Sequence, residues 1–196
     1  MQVYRGLDDS IQLSRPVAAV GSFDGVHLGH CQILRYLVAY AREHSMQSVV
    51  VTFDPHPQQL LRPESDFFVI NSLERNLELI GAQGVDATVV IPFTEEFSKL
   101  SYTEFVKQYL IDGLHVGALV MGPNHAMGHN RAGSHDLLKQ LCAQYGIEVV
   151  EIPELTLREV GVHSSKIRRA IREGDAARAS EWLGYPYIID KEKNNG

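Results

Sequence analysis

The sequence is short of cysteine, of net positive charge and of long apolar runs, and each shortage closes off a class of protein. Its two cysteines, Cys31 and Cys142, form no CxxC pair. They suggest no disulfide framework and no cysteine metal knuckle. They read as free thiols suited to a reducing compartment, so a cytoplasmic location is expected. The formal net charge is −6 with histidine neutral. There is thus no global basic field for wrapping nucleic acid, and an anionic ligand would need a local arrangement. No apolar run approaches the roughly 20 residues required to cross a bilayer. The start, MQVYRGLDDS, lacks the charged-then-apolar pattern of a secretory signal. Neither a nucleic-acid partner nor a membrane partner is expected. Internal repeats and low-complexity segments are missing too.

What is present is ordinary globular material: 196 residues, 44% hydrophobic and 21% charged. That length suffices to bury a core within one domain. Short apolar runs alternate with longer helical patterns. Residues 16–23, 48–53, 86–91, 116–121 and 147–152 are rich in valine and isoleucine and near-continuously apolar, as strands covered on both faces must be. Between them the spacing predicts helices over about 28–44, 72–82, 102–112 and 133–145. In the first, Ile33, Leu34, Leu37, Val38 and Ala41 recur at helical intervals. Residues 164–184 read as two short helices split near Gly174, with Asp175 as an N-cap. The alternation predicts an α/β fold, a Rossmann-like, doubly wound parallel sheet. No linker divides the chain, so one domain over 1–187 is expected, followed by a polar tail over 188–196.

The stretch GSFDGVHLGH, residues 21–30, stands where the first predicted strand ends and the first helix begins. Ligands of open α/β sheets bind at such places. Gly21 and Gly25 give the turn backbone freedom, and a helix start offers unpaired N–H groups to an anion. His27 and His30 would lie on one side of the first turn. The pattern is neither the GxGxxG fingerprint nor a GxxxxGK[ST] loop. Three readings stand: a helix cap with one surface imidazole, a metal site without its remaining ligands, or a phosphate site. The glycines and the strand context favour phosphate. A second cluster, HSSKIRR over 163–169, puts two hydroxyls and several cations at another helix start. It suits a polyphosphate or an N-capped basic helix with a solvated face.

HxGH after the first strand together with SSxxIR near the end is more specific than either motif. The pair resembles the nucleotidyltransferase superfamily, relatives of the class I aminoacyl-tRNA synthetases, in which both motifs converge on a triphosphate. VTFDPHPQQLL (51–61), PFTEEFSKLSYTEFVKQYL (92–110), VMGPNHAMGHNRAG (120–133) and REGDAARASEWLGYPY (172–187) narrow this further. In that order they resemble the FMN adenylyltransferase (FAD synthetase) module of bacterial bifunctional riboflavin kinase/FAD synthetases, from about Val17 to Tyr187. The resemblance implies the HxGH nucleotidyltransferase type of fold, ATP and FMN as substrates, and Mg²⁺.

By the same resemblance His27 and His30 contact ATP phosphates and stabilise the transition state, together with Ser164 and Arg168. Gly21, Phe23, Asp24 and Gly29 match the turn that receives the nucleotide, and Ser165 and Lys166 complete the ATP side. Phe53, Pro55, His56 and Pro57 match the family's flavin-side loop, where proline also stiffens the chain. Asn124 and Arg131 match flavin-side positions of a segment that reads GxDFRFG in the family. Here it reads GPNHAMG, with His125 and Met127 replacing both aromatics. His163 stands where the family's first serine is usual, and Ser165 where threonine is usual. Only nine residues follow Tyr187, so a riboflavin kinase barrel is expected to be absent. The implied reaction is FMN plus ATP giving FAD and pyrophosphate. The alternatives are a nucleotidyltransferase with another acceptor, nicotinamide mononucleotide or phosphopantetheine, and a non-catalytic flavin- or nucleotide-binding module.

Overall fold

The computed structural model describes residues 1–7, 11–121, 134–152 and 161–187. Among these residues six parallel strands form one sheet: β1 (Gln2–Arg5), β2 (Val17–Val20), β3 (Ser48–Asp54), β4 (Ala87–Pro92), β5 (Ala118–Met121) and β6 (Glu148–Glu151). Their order is β1-β4-β3-β2-β5-β6, and all five pairings run parallel. The α/β, doubly wound parallel sheet expected from the sequence is therefore the observed fold.

The near-continuous apolar strands are explained by layers on both faces. Along β2, Val17 and Ala19 pack with Leu34, Leu37, Val38 and Ala41 of helix α1 (Leu28–Glu43). Ala18 and Val20 point the other way, into a core shared with Leu110, Leu114, Leu138 and Cys142. The Cys142 thiol is buried, which pushes its pKa up to about 11. It is structural material rather than a reactive group.

Five of the six strands lie on the expected runs. The sixth, β1, has the sequence QVYR, pairs among the described residues with β4 alone and is largely exposed. A four-residue edge strand has too little apolar alternation to be read from sequence. Helices α2 (Pro57–Leu61), α3 (Leu73–Ala82), α4 (Glu95–Ser98) and α5 (Tyr102–Phe105) follow in chain order. The expected helix over 102–112 is real but widens after Phe105 into a π-helical stretch, Val106–Gly113. Helix α6 (His135–Gln144) packs beside β6. No helix among the described residues is long and apolar enough to cross a membrane.

Helices α7 (Ser164–Arg172) and α8 (Ala176–Leu183) end the described chain. Gly174, at φ +78°, breaks them apart, and the Asp175 carboxylate accepts the Arg178 N–H at 3.0 Å as an N-cap. Ile167, Ala170, Ile171, Ala179 and Leu183 form a separate small core with Ile70 and Val162. This packing brings α7 and α8 to the C-terminal edge of the sheet. There the strand order reverses about β2, with β3 on one side and β5 on the other. Such a reversal opens the crevice where α/β sheets take their ligands.

Candidate active site

The turn after β2 is held open in an unusual backbone conformation. The Gly21 N–H donates to Val51 O at 3.0 Å, and Thr52 Oγ1 donates to Ser22 O at 3.1 Å, so β3 fixes the start of the turn. Phe23 and Val26 then adopt φ of +46° and +36°. A β-branched residue in the left-handed region is a true outlier, of the kind that over-determined functional loops carry. Both side chains are buried, and that packing holds the strain in place. Gly25 is required at φ +81°, where a Cβ would also lie 3.0 Å from Ile70.

His27 caps helix α1, its Nδ1 accepting the His30 N–H at 3.2 Å. Accepting that bond leaves Nδ1 without a proton and places the neutral ring's proton on Nε2. The two imidazoles stack with centroids 3.7 Å apart and planes 16° from parallel. Phe23 closes the outer side of His30 at 5.2 Å. His30 Nδ1 is shut off from solvent with no hydrogen-bond partner among the described residues. Burial, reinforced by nearby His163 and Arg168, lowers the His27 pKa to about 4. Burial, His27 and Arg168 hold His30 well below the ordinary imidazole value.

These depressed values give the fold a pH dependence of definite sign. As pH falls from about 6.5, histidines of the unfolded chain take up protons while His27 stays neutral until about 4. Stability is thus fully present above about 6.5 and declines through that window. The urea midpoint should be lower at roughly pH 5 than at roughly pH 7.5, and His27→Gln should flatten the difference.

The second motif meets the first through Asp24. Its buried carboxylate accepts the Ile70 N–H at 3.0 Å through both oxygens, the Asn71 N–H at 3.3 Å and Arg168 Nη2 at 2.6 Å. Arg168 Nε donates to Phe68 O at 2.7 Å, and its guanidinium lies 4.3 Å from the Phe67 ring centroid. Ser164 Oγ donates to Asp24 O at 3.3 Å across 140 residues of sequence. Gly29 sets the spacing between the motifs. A Cβ there would stand 3.1 Å from the His27 ring and 3.2 Å from Val162 O. Because one obstacle is backbone, Gly29→Ala should force the two helix starts apart and destabilise by about 1–3 kcal/mol. Chemical denaturation measures that loss.

On the β3 side, FDPHP forms the wall of a cavity of about 290 Å³. Phe53, Pro55 and His56 line it with Ser22, Asn71 and Asn76. Phe53 also packs at 5.7–6.3 Å against Phe93, Phe97 and Phe105, so it anchors the loop as well as facing the cavity. His56 caps α2: its Nδ1 accepts the Gln58 N–H at 3.1 Å, and its own N–H reaches Gln59 Oε1 at 3.1 Å. Its ring lies 4.6 Å from Phe67. Phe67 is thus flanked by His56 from the FDPHP loop and by Arg168 from α7. Burial takes the His56 pKa down to about 4. Pro57 does not line the cavity; it opens helix α2 at the first position, where a missing N–H does no harm.

Of the expected residues, Asp24, Ser164 and Arg168 meet where the two helix starts approach, and Phe53, Pro55 and His56 line the cavity beside them, while Asp24, Arg168 and Lys166 are engaged by the protein itself. Asp24 has both oxygens occupied by protein donors, so it braces the turn. Arg168 commits Nε and Nη2 to protein acceptors and keeps Nη1 without a hydrogen bond among the described residues. Lys166 Nζ donates to Gly161 O at 2.8 Å and is exposed. Asn124 and Arg131 lie outside the described residues. Sequence reasoning missed Asn71, Asn76 and Tyr185, polar residues that converge on Gly25. GYPY reads only as a motif, and nothing in the spacing ties Tyr185 to the first turn.

Two helix starts, α1 and α7, meet beside Asp24. The first N–H groups of each have no acceptor within their own helix, which makes a two-sided anion cradle. The described residues contain no cluster of three or more His, Cys, Asp or Glu suited to a metal ion.

Comparison with known proteins agrees with this geometry. A family model described as FAD synthetase matches residues 10–166. The bifunctional riboflavin kinase/FMN adenylyltransferase of Listeria monocytogenes is 37% identical over 173 residues, covering 87% of this chain and 54% of that protein. The Pseudomonas fluorescens protein of the same description is 35% identical over 190 residues, covering 96% and 61%. The chain spans about three-fifths of the length of such relatives. Among solved structures, a Streptococcus pneumoniae protein described as a macrolide-efflux protein superposes with a TM-score of 0.78 at 24% identity, covering 95% of this chain and 61% of that one. Pantothenate synthetase from Thermus thermophilus gives 0.51 at 17% identity, covering 94% and 81%. At those identities the two structures speak to the fold alone.

Proposed function

Because the chain belongs to the FAD synthetase family, we propose that it is an FMN adenylyltransferase, moving AMP from MgATP to the phosphate of FMN with release of pyrophosphate. Residues 1–187 would form the adenylyltransferase unit, working in the cytoplasm. The observation that carries this reading is the meeting of HxGH and SSxxIR at Asp24, beside a cavity walled by FDPHP. The cavity sits at the low end of the ~300–1,000 Å³ typical of ligand sites, enough for one ring system beside the cradle.

A phosphate monoester has a second pKa of about 6 and is largely dianionic at neutral pH. The nucleophile therefore needs no general base, and His27 and His30, whose pKa values are held low, would be weak ones. Alignment and stabilisation of charge remain. The α1 and α7 helix starts would receive the triphosphate. His27 Nε2–H, the His30 ring and the hydroxyls of Ser164 and Ser165 would donate to its oxygens. Arg168 contributes Nη1 and long-range charge while Nε and Nη2 keep the two motifs together. Magnesium would arrive held by nucleotide phosphates and water rather than by a protein cage, and would neutralise part of the pyrophosphate charge.

The test is pyrophosphate release from MgATP with FMN as acceptor, with the product identified by mass. FAD is the expected product. Release with nicotinamide mononucleotide or phosphopantetheine and none with FMN would reassign the acceptor, and nucleotide binding without release would leave a binding module.

A further inference from the structure

Gly25 sits in the middle of the strained turn, two residues before His27. Both of its peptide groups are held by side chains from elsewhere in the chain. Its N–H donates to Asn76 Oδ1 at 3.1 Å, and its carbonyl accepts the Tyr185 hydroxyl. Asn71 Nδ2 joins these two partners, donating to Asn76 Oδ1 at 3.2 Å and to Tyr185 Oη at 2.7 Å. Every proton in this ring has one acceptor. Gly25 N–H and one Asn71 N–H point to Asn76 Oδ1, the other Asn71 N–H to Tyr185 Oη, and the Tyr185 O–H back to Gly25. The ring is closed, with Asn71 Nδ2 as double donor and Asn76 Oδ1 as double acceptor, and Asn76 is buried.

The members come from three places. Asn71 precedes α3, Asn76 lies within α3, and Tyr185 follows α8. Asn71 also donates its backbone N–H to Asp24, and Tyr187 donates to Ile70 O at 3.4 Å. The Gly25 peptide is therefore clamped on both sides, directly upstream of Val26 at φ +36° and of the α1 cap. Packing alone would hold the turn buried. It would not fix the rotation of the Gly25 peptide, which sets where the His27 and His30 rings stand.

We propose that Tyr185, with Asn71 and Asn76, is a positioning device for the two histidines: it orients the Gly25 peptide so that they are placed for transition-state charge rather than for ATP binding. The role rests on the adenylyltransferase reading. Ground-state capture of MgATP by two helix starts tolerates a small shift of the turn. Transition-state alignment does not, since a displacement of about 1 Å is enough to reduce rate about 10²-fold. Burial raises the Tyr185 pKa to about 12, so its hydroxyl keeps the proton it must donate.

The experiment compares the protein with Tyr185→Phe and with Asn71→Ala, which deletes the bridging amide but leaves the backbone N–H to Asp24. Each is expected to lower kcat about tenfold or more, with KM for ATP changed less than about threefold. Acting through one ring, the double variant should lose little more than the worse single one. Imidazole resonances of His27 and His30, followed by NMR without substrates, should move in both variants, whether or not FMN is the acceptor. Unchanged resonances and unchanged kcat in either folded variant would overturn the role, as would a rise in KM matching the whole loss. If Tyr185→Phe does not fold, Asn71→Ala carries the same readouts. A parent protein that makes no FAD would sink the functional reading, while the histidine resonances still decide the positioning role.

Discussion

Replacing His30 with alanine is expected to lower turnover of FMN and MgATP by about 10²–10³-fold, the usual result of removing one donor aimed at developing charge. The fold should barely register the change. His30 stacks on His27 at 3.7 Å and packs against Phe23 at 5.2 Å, so alanine sacrifices real contacts. It also removes a buried Nδ1 that has no partner among the described residues, and a buried unsatisfied nitrogen costs about 1–3 kcal/mol. The two effects oppose each other. His30→Ala should thus keep its urea midpoint near that of the parent while kcat collapses. Intact turnover would remove His30 from the chemistry. A midpoint falling in step with kcat would make it a packing residue.

Asp24→Ala should show the reverse profile, with stability falling by about 3–5 kcal/mol, the typical result of breaking a buried ion pair from one side. The substitution strands the Arg168 guanidinium together with the N–H groups of Ile70 and Asn71. It also releases the turn from α7, so activity is lost with the fold. A paired change, Asp24→Leu with Arg168→Met, removes both charges. It should recover only the part of the loss that comes from the stranded guanidinium, because an apolar pair can replace a buried ion pair at little net loss, while the N–H groups of Ile70 and Asn71 stay without their acceptor. Activity should not return. Equilibrium denaturation of the single and double variants separates the two contributions. A single variant as stable as the parent would contradict the bracing role of Asp24.

Much of this fold can be read from the residues because burial on two faces leaves a strong mark. PVAAVGSF, SVVVTF and DATVVI cannot be amphipathic helices, and valine and isoleucine without alternation mean covered strands. Asp175 and Gly174 are just as plain, since one supplies a side-chain acceptor and the other a positive φ. The site is legible in outline for a different reason: HxGH alone has several uses, but HxGH followed by SSxxIR near the end has few. Three kinds of information escape. Edge strand β1 is too short and too exposed to show a pattern. The parts played by Asp24 and Arg168 depend on which of their atoms already have partners, and residue type does not say that. Asn71, Asn76 and Tyr185 matter only through closeness to Gly25, to which Tyr185 stands 160 residues distant. Polar residues in or before a helix read as solvated until the fold turns them inward.

That distance governs the order in which a ribosome can assemble this site. Synthesis proceeds at about 5–20 residues per second, and chains begin folding from the N-terminal side. The sheet closes once β6 has emerged, yet α7, α8 and Tyr185 are still to come. A nascent chain at that stage presents all six strands and an unbraced turn, with Asp24 lacking Arg168 and Gly25 lacking its tyrosine. The α1 helix start is only half of the proposed anion cradle until α7 and α8 dock. The proposed cradle between α1 and α7, and the clamp on Gly25, are therefore complete only once synthesis has passed Tyr185.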